Sequence, residues 1–421
     1  MRILYIIATY LALPIVLLHM LFKSFNDFGY LQRLSERFGY YKGEKKQNFL
    51  WVHAVSYGEV KAAIPVINKL RASFPENRVL LTTTTPSGSR LVNELFEDAV
   101  DHVYLPFDTR GSVKRFFKYF NPEIAIIIET ELWPNIFHYC GVFNVPLVLA
   151  SACVSDHSLS LYRVLFNLFQ KTVSEGIVIG AQTQEDAEKF ISLGSDISKI
   201  EVTGNIKFDV AIASKSEQEL EHFKSSYFQG RMLWVAGSTH EGEEEVVLEA
   251  HRTILKDNPK SLLVIAPRNP DRFSTVKKII KNKNFTSHSW SEELDDFNNQ
   301  EVLLLDSLGQ LNLFYSIANV AFVGGSLFGI GGHNLLEPAS LKTPIITGPH
   351  IQNIKDISEK LKQNKALMIV EGASDLVNSI NQITQNEKKS DEMILGALTV
   401  IRENKGSTEK IFELIEPLII N

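Results

Sequence analysis

The sequence predicts an α/β protein built from two doubly wound, Rossmann-like domains that face a cleft, behind an N-terminal apolar helix. Three observations predict it. The chain has 421 residues, enough for two domains at about 150 residues each. Its body alternates short, continuous apolar runs with amphipathic stretches. Its first residues form one uncharged apolar run. Apolar residues make up 44% and charged residues 22%, as in an ordinary globular protein. This excludes a disordered, collagenous or polytopic membrane chain. A net charge of −6 argues against a general nucleic-acid binder. Two cysteines, Cys140 and Cys153, exclude a disulfide scaffold and fit a reducing compartment.

The N-terminal run spans residues 3–22 and contains no Asp, Glu, Lys or Arg. A bilayer core about 30 Å thick needs about 20 helical residues, so residues 1–24 are read as an anchor helix. Pro14 and His19 also admit a kinked or shallow insertion. A cleaved signal peptide fits less well, because the run is long and no A-x-A-like site follows. Arg2 precedes the run; Lys23, Arg33, Arg37, Lys42, Lys45 and Lys46 follow it. The positive-inside tendency then places the body in the cytoplasm. Residues 25–38 mix aromatic and basic side chains, as either an interfacial helix or a solvated linker would.

Runs at 49–54, 78–83, 124–129, 146–151 and 176–182 are continuous rather than alternating, as expected for strands buried on both faces. Helices are expected near 59–73, 87–97, 110–119 and 184–193. This rhythm implies a parallel sheet over a first domain, 25–210. The rhythm pauses at about 208–229, with 211–229 read as linker. A second domain, 230–421, has strand runs at 231–237, 261–266, 302–306, 319–325, 343–348 and 366–370. Helices are expected at 242–256, 270–281, 309–317, 333–341, 351–363 and 374–385. The tail, 390–418, reads as one or two helices, and the last is a candidate to cross back to the first domain. Ligands of such sheets sit beyond the carboxyl ends of the strands.

The most informative loop is residues 323–338, VGGSLFGIGGHNLLEP, which carries five glycines between a strand and a helix. Successive N–H groups there can form an anion nest beside a helix N-terminus. Glu337 is suited to accept ribose hydroxyls. The pattern is neither G-x-G-x-x-G nor a Walker loop. A second turn, 236–245 (AGSTHEGEEE), offers Gly237, Ser238 and Thr239. Its glutamates read as an ordinary acidic first turn. Arg268, just past a strand in APRNPDRF, suits phosphate or carboxylate; Arg272 reads as structural. In the first domain, Glu59 of WVHAVSYGEV starts a helix after a strand and is a candidate general base. Ser87 lies in TTTTPSGS (82–89). Glu129 and Glu131 lie in ETELWPN (129–135), at the end of another strand. No D-x-D, H-E-x-x-H, C-x-x-C or G-x-S-x-G occurs. His333 and Glu337, expected on one helix face, are too few for a metal site.

Together these motifs, with GNIKFD (204–209) and GPHIQN (348–353), resemble the bacterial 3-deoxy-D-manno-octulosonic acid (Kdo) transferases of lipid A synthesis. The matches run in order to about residue 353. The resemblance implies a GT-B fold and inverting transfer of Kdo from CMP-Kdo to a lipid A precursor (lipid IVA) at the cytoplasmic face of the inner membrane. It implies no bound metal and no resident cofactor, CMP-Kdo being a substrate. It makes Glu59 the base. It assigns the CMP donor to Arg268, Gly331, Gly332, Asn334 and Glu337, with Gly237, Ser238 and Thr239 at the matching turn. Lys207 is placed near the domain junction, able to meet an anionic group. Two departures stand out: Tyr57 is bulky for its place, and Cys153 stands where the family pattern leads one to expect arginine. A GT-B enzyme using another nucleotide sugar such as UDP-GlcNAc, including a 2-epimerase, is the alternative; a membrane-tethered nucleotide-binding scaffold is a third reading.

Overall fold

A computed structural model describes residues 2–25, 27–43, 49–164, 177–210, 216–293, 297 and 299–420. Lys45, Lys46 and the first five residues of the expected linker lie outside the described residues. The chain forms two compact units. Met1–Val210 joins Asn404–Asn421 in the first, and Ala211–Glu403 forms the second.

The first unit has a seven-stranded sheet: β1 (Phe49–His53), β2 (Arg78–Thr83), β3 (Asp101–Tyr104), β4 (Pro122–Ile128), β5 (Leu147–Ala152), β6 (Val178–Ala181) and β7 (Ile200–Val202). Their order is β3-β2-β1-β4-β5-β6-β7, and the pairings are parallel. Because side chains alternate along a strand, β1 sends Phe49 and Trp51 to one face and Leu50 and Val52 to the other. The first face packs on Phe116, Phe117 and Phe120, all from helix Arg110–Phe120. The second packs on Val60, Ala63 and Ile67 of helix Tyr57–Ser73, and on Ile411, Phe412 and Ile415. Those last three come from helix Ser407–Ile420. Each such buried side chain contributes about 1.5–3 kcal/mol, so the C-terminal helix is part of this unit's core. Asp209 fixes its start by accepting from Gly406 N at 2.8 Å and Thr408 N at 2.6 Å.

The second unit repeats the plan with β8 (Leu233–Thr239), β9 (Leu262–Pro267), β10 (Ser287–Ser289), β11 (Val302–Leu304), β12 (Val320–Val323), β13 (Ile345–Thr347) and β14 (Leu367–Ile369). Their order is β10-β11-β9-β8-β12-β13-β14. The stretch read as linker contains helix Glu217–Phe228, which starts with a Ser216/Glu219 capping box. Phe228 is fully buried with Leu233, Phe297 and Phe314. This amphipathic stretch therefore belongs to the unit's core, and the second unit ends at Glu403 rather than running to the C-terminus.

The described residues of 25–38 are not one continuous helix. A 3-10 turn, Phe28–Tyr30, precedes the short helix Leu34–Arg37. Arg37 is buried, with its guanidinium 4.1 Å from the Tyr104 ring centroid and donating to Thr84 O at 2.8 Å. The N-terminal run is a 23-residue helix, Arg2–Ser24, with Pro14 inside it and Met20 its buried residue. It is long and apolar enough to cross a membrane.

In each sheet the winding direction reverses once, between β1 and β4 and between β8 and β12. Loops leaving those four strands carry the Glu59, ETELWPN, AGSTHEGEEE and glycine-rich motifs, as the switch-point rule leads one to expect, while TTTTPSGS and APRNPDRF leave the neighbouring strands β2 and β9.

Candidate active site

In the first unit, the turn after β1 leads straight into helix Tyr57–Ser73, with Glu59 in its first turn. Glu59 folds back on that turn. Its carboxylate accepts from Val55 N at 2.6 Å and from the Ser56 hydroxyl at 3.3 Å. Burial pushes its pKa up to about 7; the Glu129 charge adds to the rise, the Val55 N–H opposes it, Glu131 raises it and Lys207 lowers it. Glu131, after β4, is likewise pushed up to about 7 by burial, opposed by Trp133 and reinforced by Glu129. Glu129, with a positive φ of 61°, forms an ion pair with Lys207 at 2.6 Å. The lysine's pKa is raised: burial lowers it, and the Glu129 charge and hydrogen bond outweigh that. Thus Glu59, Glu129, Glu131 and Lys207 form one electrostatic cluster at the carboxyl ends of β1 and β4. The Cys153 thiol is pushed up to about 12, first by burial and then by Glu129, so it is a neutral neighbour of that cluster.

The TTTTPSGS turn lies against the Glu59 turn. Thr84 N and Thr85 N both donate to Val55 O, at 3.0 and 3.1 Å. Thr85 caps the following helix, accepting from Gly88 N at 3.2 Å. Ser87 is exposed on that first turn, its hydroxyl 3.3 Å from that of Thr85. Beneath, His53 is buried, with Nδ1 2.9 Å from the Thr82 hydroxyl, and burial pushes it down to about 4. It is therefore a neutral support for the turn.

In the second unit the glycine-rich loop holds an internal anion. The buried Glu243 carboxylate accepts from Gly325 N, Ser326 N and Leu327 N at 2.7, 2.9 and 2.9 Å, and from His240 N at 2.9 Å. That part of the expected phosphate nest is filled by the protein itself. A second anion on the same donors would meet like-charge repulsion of about 4 kcal/mol at 4 Å. The reading of the glutamates as an ordinary acidic turn is corrected on two counts. Glu243 holds the loop, and Glu244, also buried, accepts from Arg272 at 2.9 Å and from the Thr239 hydroxyl at 3.2 Å. Arg272 is structural, as its sequence position suggests.

The expected donor residues divide accordingly. Gly237 is buried, and a Cβ there would fall 2.0 Å from the Tyr315 hydroxyl, so this glycine serves close packing. Thr239 is buried and bonded to Glu244. Gly331 and Gly332, with φ of 108° and 85°, are pressed against Asn353 and Ile354; they shape the loop. Ser238 remains partly exposed, as does Glu337 in the short helix Leu336–Ser340. Asn334 is exposed and accepts from Leu336 N at 3.0 Å. Arg268 is exposed, and its N–H donates to Thr239 O at 3.0 Å, which fixes it beside Ser238.

His333 does not share a helix face with Glu337, because the helix begins at Leu336. Instead it stacks on His240, with ring centroids 5.0 Å apart and Nε2 atoms 2.8 Å apart. One imidazole donates and the other accepts, so a single hydrogen sits between them. Burial pushes His333 down to about 4, helped by Arg268 and His240. His240 is also lowered by burial, against the Glu243 charge. Sequence reasoning missed this pair and Glu243. Their one sequence signal was the H-E-G-E turn, whose residues reach a loop more than 80 positions away. Among the described residues no group of three His, Cys, Asp or Glu side chains converges as a metal site.

The geometry can be set beside known proteins. Residues 32–210 match the family model for 3-deoxy-D-manno-octulosonic-acid transferase (kdotransferase), and residues 231–398 match that for glycosyl transferases group 1. The 3-deoxy-D-manno-octulosonic acid transferase of Haemophilus influenzae is 35% identical over 409 residues, covering 96% of each chain. That of Rickettsia felis is 30% identical over 371 residues, 88% of this chain and 79% of the other. Among solved structures, the UDP-GlcNAc 2-epimerase from Neisseria meningitidis superposes with a TM-score of 0.62 at 14% identity, covering 88% of this chain and 100% of that one. That likeness is one of fold, of the GT-B type. With the motifs in place at both sheet switch points and a relative matched almost end to end, the chain belongs to the 3-deoxy-D-manno-octulosonic acid transferase family of glycosyltransferases.

Proposed function

We propose that the protein transfers Kdo from CMP-Kdo to a lipid A precursor, lipid IVA, by inverting attack, with Glu59 as general base. The observation that supports this most directly is the Glu59 carboxyl. It is oriented by the Val55 N–H at a switch point and raised to about 7 by burial. A base with a pKa near ambient pH combines a usable ionised fraction with a strong pull on the proton. The acceptor hydroxyl oxygen bonds to the anomeric carbon while its proton passes to Glu59. The bond from that carbon to the phosphate oxygen breaks, and CMP leaves with the electron pair. Glu131, Glu129 and Lys207 tune the base; Ser87 lies on the neighbouring turn.

On the donor side, Arg268 and the Ser238 hydroxyl address the phosphate, Asn334 the nucleotide, and Glu337 the ribose hydroxyls. Gly237, Thr239, Gly331 and Gly332 shape the pocket rather than donate to it. The donor carries one phosphate, so a guanidinium and a preorganised hydroxyl donor suffice at the departing oxygen. The reading needs neither a divalent cation nor a resident cofactor. Helix Arg2–Ser24 anchors the enzyme at the cytoplasmic face of the inner membrane, where the acceptor lies.

The test is mass spectrometry of products from the purified full chain, lipid A precursor and CMP-Kdo generated in situ. One or more Kdo additions are expected, abolished by Glu59→Ala while CMP still binds. Consumption of UDP-GlcNAc but not CMP-Kdo would overturn the proposal.

A further inference from the structure

The turn that carries Glu129 and Glu131 runs from the end of β4 to helix Pro134–Val142. Its far end is also held from outside the turn. Asp108, brought from the loop after β3, is buried there. Its Oδ1 accepts from Ile136 N at 2.9 Å and its Oδ2 from Asn135 N at 3.1 Å. The Asn135 side chain returns a bond to Asp108 O at 2.6 Å. The same Oδ2 accepts a third hydrogen bond, at 2.7 Å, from the hydroxyl of Tyr5, which belongs to the N-terminal apolar helix. One turn and a half further along that helix, the Tyr10 hydroxyl accepts from Gly111 N at 3.1 Å. Gly111 is the second residue of helix Arg110–Phe120, which begins two residues after Asp108.

An apolar helix needs no polar link to bury its face. This one spends one tyrosine hydroxyl on Asp108 and a second on the start of the helix that follows it. The carboxylate is thus bonded on one side to the apolar helix and on the other to the first backbone amides after the ETELW turn. Burial raises Asp108 to about 7, against the Tyr5, Asn135 and Ile136 hydrogen bonds, so the donors around it decide how well its charge is held.

We propose that Asp108 is a positioning residue through which the docked N-terminal helix, by way of Tyr5, sets the turn bearing Glu129 and Glu131. Those two carboxylates act on Glu59 through their charge, so the helix reaches the base through hydrogen bonds to the turn and then through charge. Losing the Tyr5 hydroxyl leaves Asp108 with two backbone donors instead of three partners. The turn then loosens and the Glu59 cluster loses its set. The inference rests on the transferase reading and on helix Arg2–Ser24 being the membrane anchor.

The test is a double-mutant cycle on the full chain in lipid vesicles, with Tyr5→Phe, Asp108→Asn and both together. Transfer kinetics, vesicle flotation and deuterium exchange at the Asn135 and Ile136 amides are read on the same preparations. Tyr5→Phe removes one hydroxyl of a single side chain and keeps the helix apolar, so folding is not at issue for it. The expected result is a fall in kcat of about 2- to 30-fold, the range of such couplings. KM for CMP-Kdo and flotation stay unchanged, and exchange at the two amides is faster. The double variant should be no slower than Asp108→Asn alone, because both act through one carboxylate. Unchanged kcat and exchange in Tyr5→Phe, or additive losses in the double variant, would overturn the proposal. So would lost flotation with kcat intact, which makes Tyr5 a docking residue only. A failure of the transferase or anchor reading shows instead in the wild type, as no transfer or no flotation.

Discussion

As the proposed base, Glu59 has to lose its proton before it can accept one, and its surroundings make that loss late. With burial raising it to about 7, kcat/KM is expected to fall about tenfold per pH unit below that value. A pH–rate profile of the wild type checks this; an acid limb near pH 4.5 would contradict it. Glu59→Gln keeps size and polarity but cannot take the proton, and a loss of about 10²–10⁴ in kcat is expected, with CMP affinity measured by calorimetry unchanged. Glu131 makes a separate stability prediction. Its pKa is raised on folding, so the folded state holds the proton more tightly than the unfolded chain. Stability is then lost as pH rises from about 4.5 to about 7, and Glu131→Gln removes that loss. The variant should gain about 3 kcal/mol on wild type between those two pH values, read from denaturant midpoints at each.

At the level of elements, the glycine-rich loop is held from within by Glu243. Glu243→Gln replaces a buried carboxylate under four N–H donors with an amide that presents a single accepting oxygen. A loss of about 2–3 kcal/mol in the second unit's stability is expected from buried N–H groups left without an acceptor, together with weaker CMP binding, both measurable by thermal shift with and without CMP. A milder outcome, below about 1 kcal/mol, would mean that the loop holds its shape unaided. The same loop shows what the sequence could tell. Five glycines at a strand-to-helix junction placed it at the carboxyl end of a strand, because strand and helix periods are local signals. That its amides were already engaged was not legible, since the partner lies on another turn and nothing local distinguishes Glu243 from Glu244 or Glu245. Central strands such as β4 and β12 were readable as unbroken apolar runs. The edge strands β3 (DHVY), β7 (IEV) and β10 (SHS) were not, being short and partly polar. The environment of Arg37 was not legible either: its charge suggests a surface, yet it finds a ring and a carbonyl inside the unit.

At the scale of the molecule, the first unit is discontinuous in sequence. Helix Ser407–Ile420 fills the face of its sheet that also carries Leu50 and Val52, while helix Glu217–Phe228 belongs to the second unit. Ending the chain after Asn404 should therefore lower the melting transition of the first unit and leave that of the second in place, as differential scanning calorimetry would separate them. A single transition shifted as a whole would refute this. Candidate base and candidate donor residues were readable as sequence motifs on their own strands. The ownership of the last helix was not, because its apolar stripe states only that it has a partner.

That ownership also orders events during synthesis. Residues 49–210 emerge from the ribosome well before the helix that closes their sheet. At 5–20 residues per second the wait is roughly 10–40 s, while residues 211–403 are being made and can finish on their own. The later-made half is thus the first to mature. The half holding Glu59 waits with one apolar sheet face uncovered, a window in which chaperones have something to hold and premature termination leaves a half-built enzyme.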